Sequence, residues 1–222
     1  MNRREKTLEL IKNQAMLPLF YHDSSETSIQ LLKALYLGGG RLIEYTNRGS
    51  NALENFAQLR KVIDNELPGM ELGIGTIRTV QEAEAFISAG ADFIVCPVIN
   101  KEIADVAHKH NMLWIPGCMT PTEIDMAEKS GAALVKIFPG NILGPSYISA
   151  VKDIFQKLLF MPTGGVEPTI SNLEAWFKAG VCAVGMGSKL INNEIMNGGH
   201  YSLLEENTRK TLTIINTLKN SA

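Results

Sequence analysis

The chain has 222 residues, 45% of them hydrophobic and 20% charged, which is longer than one average compact core but suits a single α/β barrel. A formal net charge of −2 gives no electrostatic reason to expect nucleic acid or an anionic membrane as a partner. No apolar run approaches the roughly 18 residues of a membrane span, and Cys96, Cys118 and Cys182, odd in number and without CxxC spacing, fit reduced thiols in a cytoplasmic protein.

The first stretch, "MNRREKTLELIKNQAM", has no apolar core of the signal-peptide kind. It reads as a short amphipathic helix that closes the bottom of the fold. Strands follow near 16–21, 41–46, 71–75, 92–97, 113–116, 133–138, 158–163 and 182–187. Helices fall between and after them, near 25–37, 51–66, 79–89, 100–110, 121–130, 145–156, 169–179 and 200–219. Eight strand–helix units of similar length predict a parallel sheet closed into a (β/α)8 TIM barrel with an N-terminal capping helix. No linker or low-complexity segment interrupts residues 1–222, so a single domain is expected.

Local signals agree with this order. "LGGGRLIEY", "SAGADFIV", "KSGAALVKI" and "KAGVCAVGM" each place glycine between a helix end and a strand start, where it accepts the left-handed conformation that ends a helix. "TPTE" puts Thr120 at the N-cap, Pro121 in the first turn and Glu123 three residues after the cap, the capping-box pattern.

An eight-stranded barrel carries its active site at the C-terminal ends of the strands. Two charged residues stand out inside the predicted strands, Glu44 and Lys136. Side chains alternate along a strand, so Glu44 shares a face with Leu42 and Lys136 with Leu134. The two opposite charges should meet at the axis. Lys136 interrupts the apolar run "ALVKIF", where an unpaired charge would be strongly disfavoured. Either it is an ion-paired lysine reaching out of the core, or it is a desolvated amine kept for attack on a carbonyl. Glu44 suits both readings, as countercharge and as a carboxylate that moves protons near an imine. Arg48 is a solvated loop arginine or a bidentate clamp on a substrate carboxylate.

"MPTGGVEP" and "VGMGSKL" end the last two strands with Gly164, Gly165, Gly187 and Ser188. Barrels bind phosphate at these loops on backbone N–H groups and a helix N-terminus, and a short helix is expected after Ser188. Lys189 either adds a charge there or points to solvent.

The motifs "IEYTNRG", "GIGTIRT", "IPGCMTPTE", "LVKIFPG", "PTGGV" and "GMGSKL", in this order, resemble the 2-keto-3-deoxy-6-phosphogluconate (KDPG) and 2-keto-4-hydroxyglutarate (KHG) aldolase family across nearly the whole chain. The resemblance implies a class I, metal-independent aldolase without a cofactor, a homotrimer whose partners are small molecules: pyruvate and an aldehyde, phosphorylated in the first reading. It implies Lys136 as the Schiff-base lysine and Glu44 as the acid/base. It further implies Arg48 and Thr76 on the pyruvate carboxylate, Phe138 packing by the imine, Pro97 among the substrate contacts, and Gly164, Gly165, Gly187 and Ser188 on the phosphate.

Three rivals fit less well. A metal-dependent aldolase needs clustered ligands, and His108 and His110, two apart on a helix, do not share a face; they read as surface residues. Another phosphate-binding barrel, such as a sugar-phosphate epimerase, has no use for a buried lysine. A non-catalytic sugar-phosphate sensor would not need Glu44 and Lys136 together. Cys96 and Cys118 read as apolar filler at strand ends, Met161, Met186 and Phe160 as core, and Arg78 has no assigned role.

Overall fold

The computed structural model describes residues 1–220. Its strands are β1 (Met16–Phe20), β2 (Leu42–Thr46), β3 (Glu71–Gly75), β4 (Phe93–Val95), β5 (Leu113–Ile115), β6 (Gly117–Cys118), β7 (Leu134–Ile137), β8 (Leu159–Pro162) and β9 (Val184–Met186). Its helices are α1 (Arg3–Gln14), α2 (Ser25–Leu37), α3 (Ala52–Glu66), α4 (Val80–Ser88), α5 (Lys101–Lys109), α6 (Pro121–Lys129), α7 (Gly140–Val151), α8 (Ile170–Ala179), α9 (Asn193–Gly198) and α10 (Tyr201–Asn220). The result is an α/β fold built on parallel pairings. Six strands run in the order β5-β4-β3-β2-β1-β9, and three in the order β6-β7-β8.

Backbone hydrogen bonds and one isolated bridge run between the two ladders. β5 falls within the strand expected at 113–116, and β6 adds two residues beyond it, after Pro116, which has no N–H to give a ladder. The Pro116 carbonyl instead accepts from Lys136 N–H at 2.8 Å. On the other side Cys182 N–H donates to the Phe160 carbonyl at 3.0 Å, and Thr163 forms a parallel bridge with Gly185.

Alternation along the strands sorts their side chains into two cores. One lies between strands and helices and takes Ile43, Tyr45, Val135 and Ile137. The other takes Leu17, Leu42, Phe93, Val95, Leu113, Ile115, Leu134 and Met161. Ile11 of α1 belongs to this second core, with Leu8 and Leu10 packed against it. Arg3 fixes the same helix by an ion pair to Asp92, which also accepts from Arg60 and from Leu72 N–H.

Most local expectations appear in the chain. Gly39, Gly90, Gly131 and Gly180 adopt positive φ between the helices and the next strands. The Thr120–Glu123 capping box forms on α6, with Pro121 in the first turn. Met161, Met186 and Phe160 are buried. So are Cys96 and Cys118, whose thiols burial pushes up to about 12, as apolar filler would be.

Three expectations are corrected. α7 begins at Gly140, not 145, because residues 140–143 form a turn of their own; Gly144, at φ 72° and ψ 171°, breaks it before Pro145. The helix also ends at Val151, after which the chain turns so that Phe155 and Leu158 enter the core. The short helix expected at Ser188 starts five residues later, at Asn193. Residues 188–190 are a turn in which Leu190 and Ile191 N–H both donate to the Gly187 carbonyl. His108 is half-buried rather than solvated, its ring edge-on to Trp114 at 6.4 Å.

Candidate active site

β2 and β7 bring Glu44 and Lys136 together. Lys136 Nζ lies 3.6 Å from Glu44 Oε1, with 7% of the lysine side chain and none of the glutamate exposed. Both continue the face of the second core, two residues beyond Leu42 and Leu134 respectively. Neither carboxylate oxygen of Glu44 makes a hydrogen bond, although both are buried. A charge so placed is strongly disfavoured unless something pairs with it, and Lys136 is its close ionic partner. The ammonium nitrogen also sits 5.5 Å from the centre of the Phe138 ring, within cation–π range.

Two strand glycines make this arrangement possible. A Cβ on Gly75 would stand 1.8 Å from Glu44 Oε1, and one on Gly185 would stand 2.2 Å from Thr163 Oγ1. Glycine inside a strand weakens it but allows close approach. Here the approach is that of a polar side chain from the neighbouring strand.

A cleft of about 370 Å³ opens nearby, lined by the same Phe138 that Lys136 approaches; neither Glu44 nor Lys136 lines it. It gathers Arg48 and Phe138 with Gly164, Gly165, Gly187 and Ser188. Arg48 is exposed, and among the described residues its guanidinium makes no ion pair. Gly164 and Gly165 hold φ of 100° and 72°, a left-handed pair against Asn141 at the start of α7. Ser188 is exposed in its turn. Thr76 and Pro97 do not line this cleft. Thr76 is half-buried at the end of β3 with φ 63°, a region that β-branched residues seldom occupy and that clusters at functional sites. Pro97 is half-buried beyond β4, its carbonyl against Gly117.

Two cleft residues escape a reading of the sequence. Thr163 is 5% exposed, lines the cleft and leaves Oγ1 without a hydrogen bond. Its signal was parity: it follows Met161 by two on the same face, opposite a strand glycine. Tyr21 lines the cleft just beyond β1, and its hydroxyl donates to Asp23. Its ring packs on Gly49, next to Arg48, which sequence spacing could not bring near it. Lys189 is neither free nor turned away: Nζ lies 2.7 Å from Glu167 Oε1, and the residue lines the cleft. Among the described residues no group of three or more His, Cys, Asp or Glu side chains is placed to hold a metal ion. Nor is any described helix long and apolar enough to cross a membrane.

A buried lysine beside a carboxylate, on parallel strands of a barrel-like fold and close to a cleft, is the equipment of an imine-forming enzyme. The family model for KDPG and KHG aldolases matches residues 8–206, and the chain belongs to that family. A 2-dehydro-3-deoxy-phosphogluconate aldolase of Treponema pallidum is 31% identical over 209 residues, covering 93% of this chain and 96% of the relative. A solved 4-hydroxy-2-oxoglutarate/2-dehydro-3-deoxyphosphogluconate aldolase superposes with a TM-score of 0.81 at 29% identity, over 97% of this chain and 99% of the other. A KDPG aldolase from Legionella pneumophila, solved with pyruvate captured as a covalent carbinolamine, gives 0.81 at 25% identity, over 90% and 95%.

Proposed function

We propose that this chain is a class I aldolase that reversibly cleaves a 2-keto-3-deoxy-6-phospho sugar acid to pyruvate and glyceraldehyde 3-phosphate. The observation that carries the reading is the buried Lys136–Glu44 pair at 3.6 Å, with the carboxylate's oxygens free of other partners. Glu44 takes a proton from Lys136, the freed amine attacks the C2 ketone, and return of that proton to the carbinolamine hydroxyl expels water and leaves a protonated imine. That cation takes up the electrons of the breaking C3–C4 bond, while Glu44 accepts the proton of the C4 hydroxyl. The aldehyde leaves. The remaining enamine is protonated at C3 and hydrolysed to pyruvate, which restores the lysine.

Arg48 and Thr76 are assigned to the substrate carboxylate, with Phe138 and Pro97 walling the imine. The six-carbon chain then runs toward the loops after β8 and β9. There Gly164, Gly165 and Gly187 leave the backbone bare, and Ser188 offers a hydroxyl to a terminal phosphate. A second reading, cleavage of unphosphorylated 4-hydroxy-2-oxoglutarate, is favoured by the solved relative whose name joins both activities.

The same reading treats residues 1–222 as one domain, with the two ladders forming one closed (β/α)8 barrel joined at Pro116 and at the Thr163–Gly185 bridge, and α1 capping its amino end. A cytoplasmic homotrimer is the matching assembly; exposed Val98, Met119 and Ile142 offer it apolar surface, and light scattering would measure it.

The test is reductive trapping. With pyruvate and borohydride, Lys136 should gain a reduced pyruvyl group that peptide mapping locates, and EDTA should leave turnover unchanged. Modification at another lysine, or none, would overturn the imine chemistry.

A further inference from the structure

The distal end of the cleft carries a cation that is already engaged. Lys189 stands in the turn after β9, beside Gly187 and Ser188, and lines the cleft. Its nitrogen lies 2.7 Å from Glu167 Oε1, in the loop after β8. The glutamate does not line the cleft. Its backbone is fixed by the Asn172 side chain of α8, which accepts from Glu167 N–H at 3.0 Å. The lysine side chain is 51% exposed and the glutamate 43%. An ion pair this open to water is weakly held. A terminal phosphate carries nearly two negative charges at neutral pH and three strong acceptor oxygens, against one charge on the carboxylate.

We propose that Lys189 completes the terminal-phosphate subsite and that Glu167 holds its ammonium group at the rim until a phosphate dianion draws it across. The inference rests on the phosphate reading of the cleft given above. The other cation lining the cleft, Arg48, stands on the far loop, after β2. The glycines and Ser188 present neutral donors only. Lys189 therefore supplies charge where the substrate's distal end lies. Glu167 does two things: it keeps the flexible ammonium beside the cleft, and it lowers the positive potential that a non-cognate anion would meet.

The experiment compares kcat/KM for 2-keto-3-deoxy-6-phosphogluconate with that for its unphosphorylated form. The variants are Lys189→Gln, Glu167→Gln, the double variant and Ser188→Ala. Lys189→Gln should lower the phosphorylated-to-unphosphorylated ratio about tenfold, as for loss of one charge-assisted contact. It should also weaken competitive inhibition by inorganic phosphate. Glu167→Gln should raise the ratio, and only when Lys189 is present. An unchanged ratio in Lys189→Gln overturns the proposal. If Ser188→Ala lowers the ratio in that case, the phosphate reading itself survives. If the wild-type ratio is near one and Ser188→Ala leaves it there, both fall. A gain from Glu167→Gln that persists in the double variant means direct repulsion of phosphate and overturns the holding role.

Discussion

At the scale of single residues, the site depends on what is missing as much as on what is present. Gly75 has no side chain, and Glu44 uses that space. Gly75→Ala should force the carboxylate away from Lys136, and a displacement of about 1 Å is worth roughly a hundredfold in rate. Glu44→Gln keeps the shape and removes the proposed acid/base, for an expected loss of kcat of roughly 10²–10⁴-fold. The two variants together separate position from chemistry. If Gly75→Ala turns over like the wild type, Glu44 has slack, and its placement is not what the glycine protects. Glu44 and Lys136 were legible in the sequence because charges inside apolar strands are rare and parity aims them at one axis. Thr163 was not, since a threonine in a strand looks like any β-branched strand residue. Only its burial without a hydrogen-bond partner sets it apart.

At the scale of elements, the strand–helix alternation was readable because glycine and proline punctuate it, and caps such as Thr120–Glu123 mark helix starts. What escaped was the loops that deliver the cleft. Residues 140–143 look like an irregular connection, yet they form a helical turn whose Asn141 packs on Gly164 and Gly165. Tertiary packing decides such segments, and no periodicity records it. The β2–α3 loop is a second case. A Cβ on Gly49 would stand 2.0 Å from the Tyr21 hydroxyl, so the tyrosine seats the loop that carries Arg48. Gly49→Ala must move one or the other. The expected effect is a KM for the keto acid raised about tenfold, as for a weakened charge-assisted contact, with kcat changed less. Competition by pyruvate against the substrate should weaken in parallel. A fall in kcat with KM unaltered would mean that the loop serves the bond-breaking step and not carboxylate binding.

At the scale of the whole molecule, the two ends of the parallel strands have different tasks. The proposed chemistry lies at the carboxyl ends, while α1 and the Arg3–Asp92–Arg60 ion pairs hold the opposite side. Glu71 begins β3 on this side and is 8% exposed, with Lys6 Nζ 3.9 Å from Oε1 and Oε2 without a hydrogen bond. Burial raises its pKa above the ordinary 4.5; Thr7 opposes this, Asp92 adds to it, and Lys6 and Arg3 oppose it. A carboxyl whose pKa is higher folded than unfolded binds its proton more tightly in the native state. Its contribution to stability is therefore present below the unfolded value and is lost as pH rises through the folded one. Gln stands in for the protonated form, so Glu71→Gln should match the wild type below about pH 4.5 and become the more stable of the two as pH approaches neutrality. Urea midpoints across that range measure the gap, while kcat at neutral pH should not change, because Glu71 lies at the end of the strands away from Lys136. A gap of constant size at every pH would remove the carboxyl's titration as its cause. A variant less stable than the wild type at neutral pH would mean that Lys6 and Arg3 outweigh burial, reversing the sign argued here.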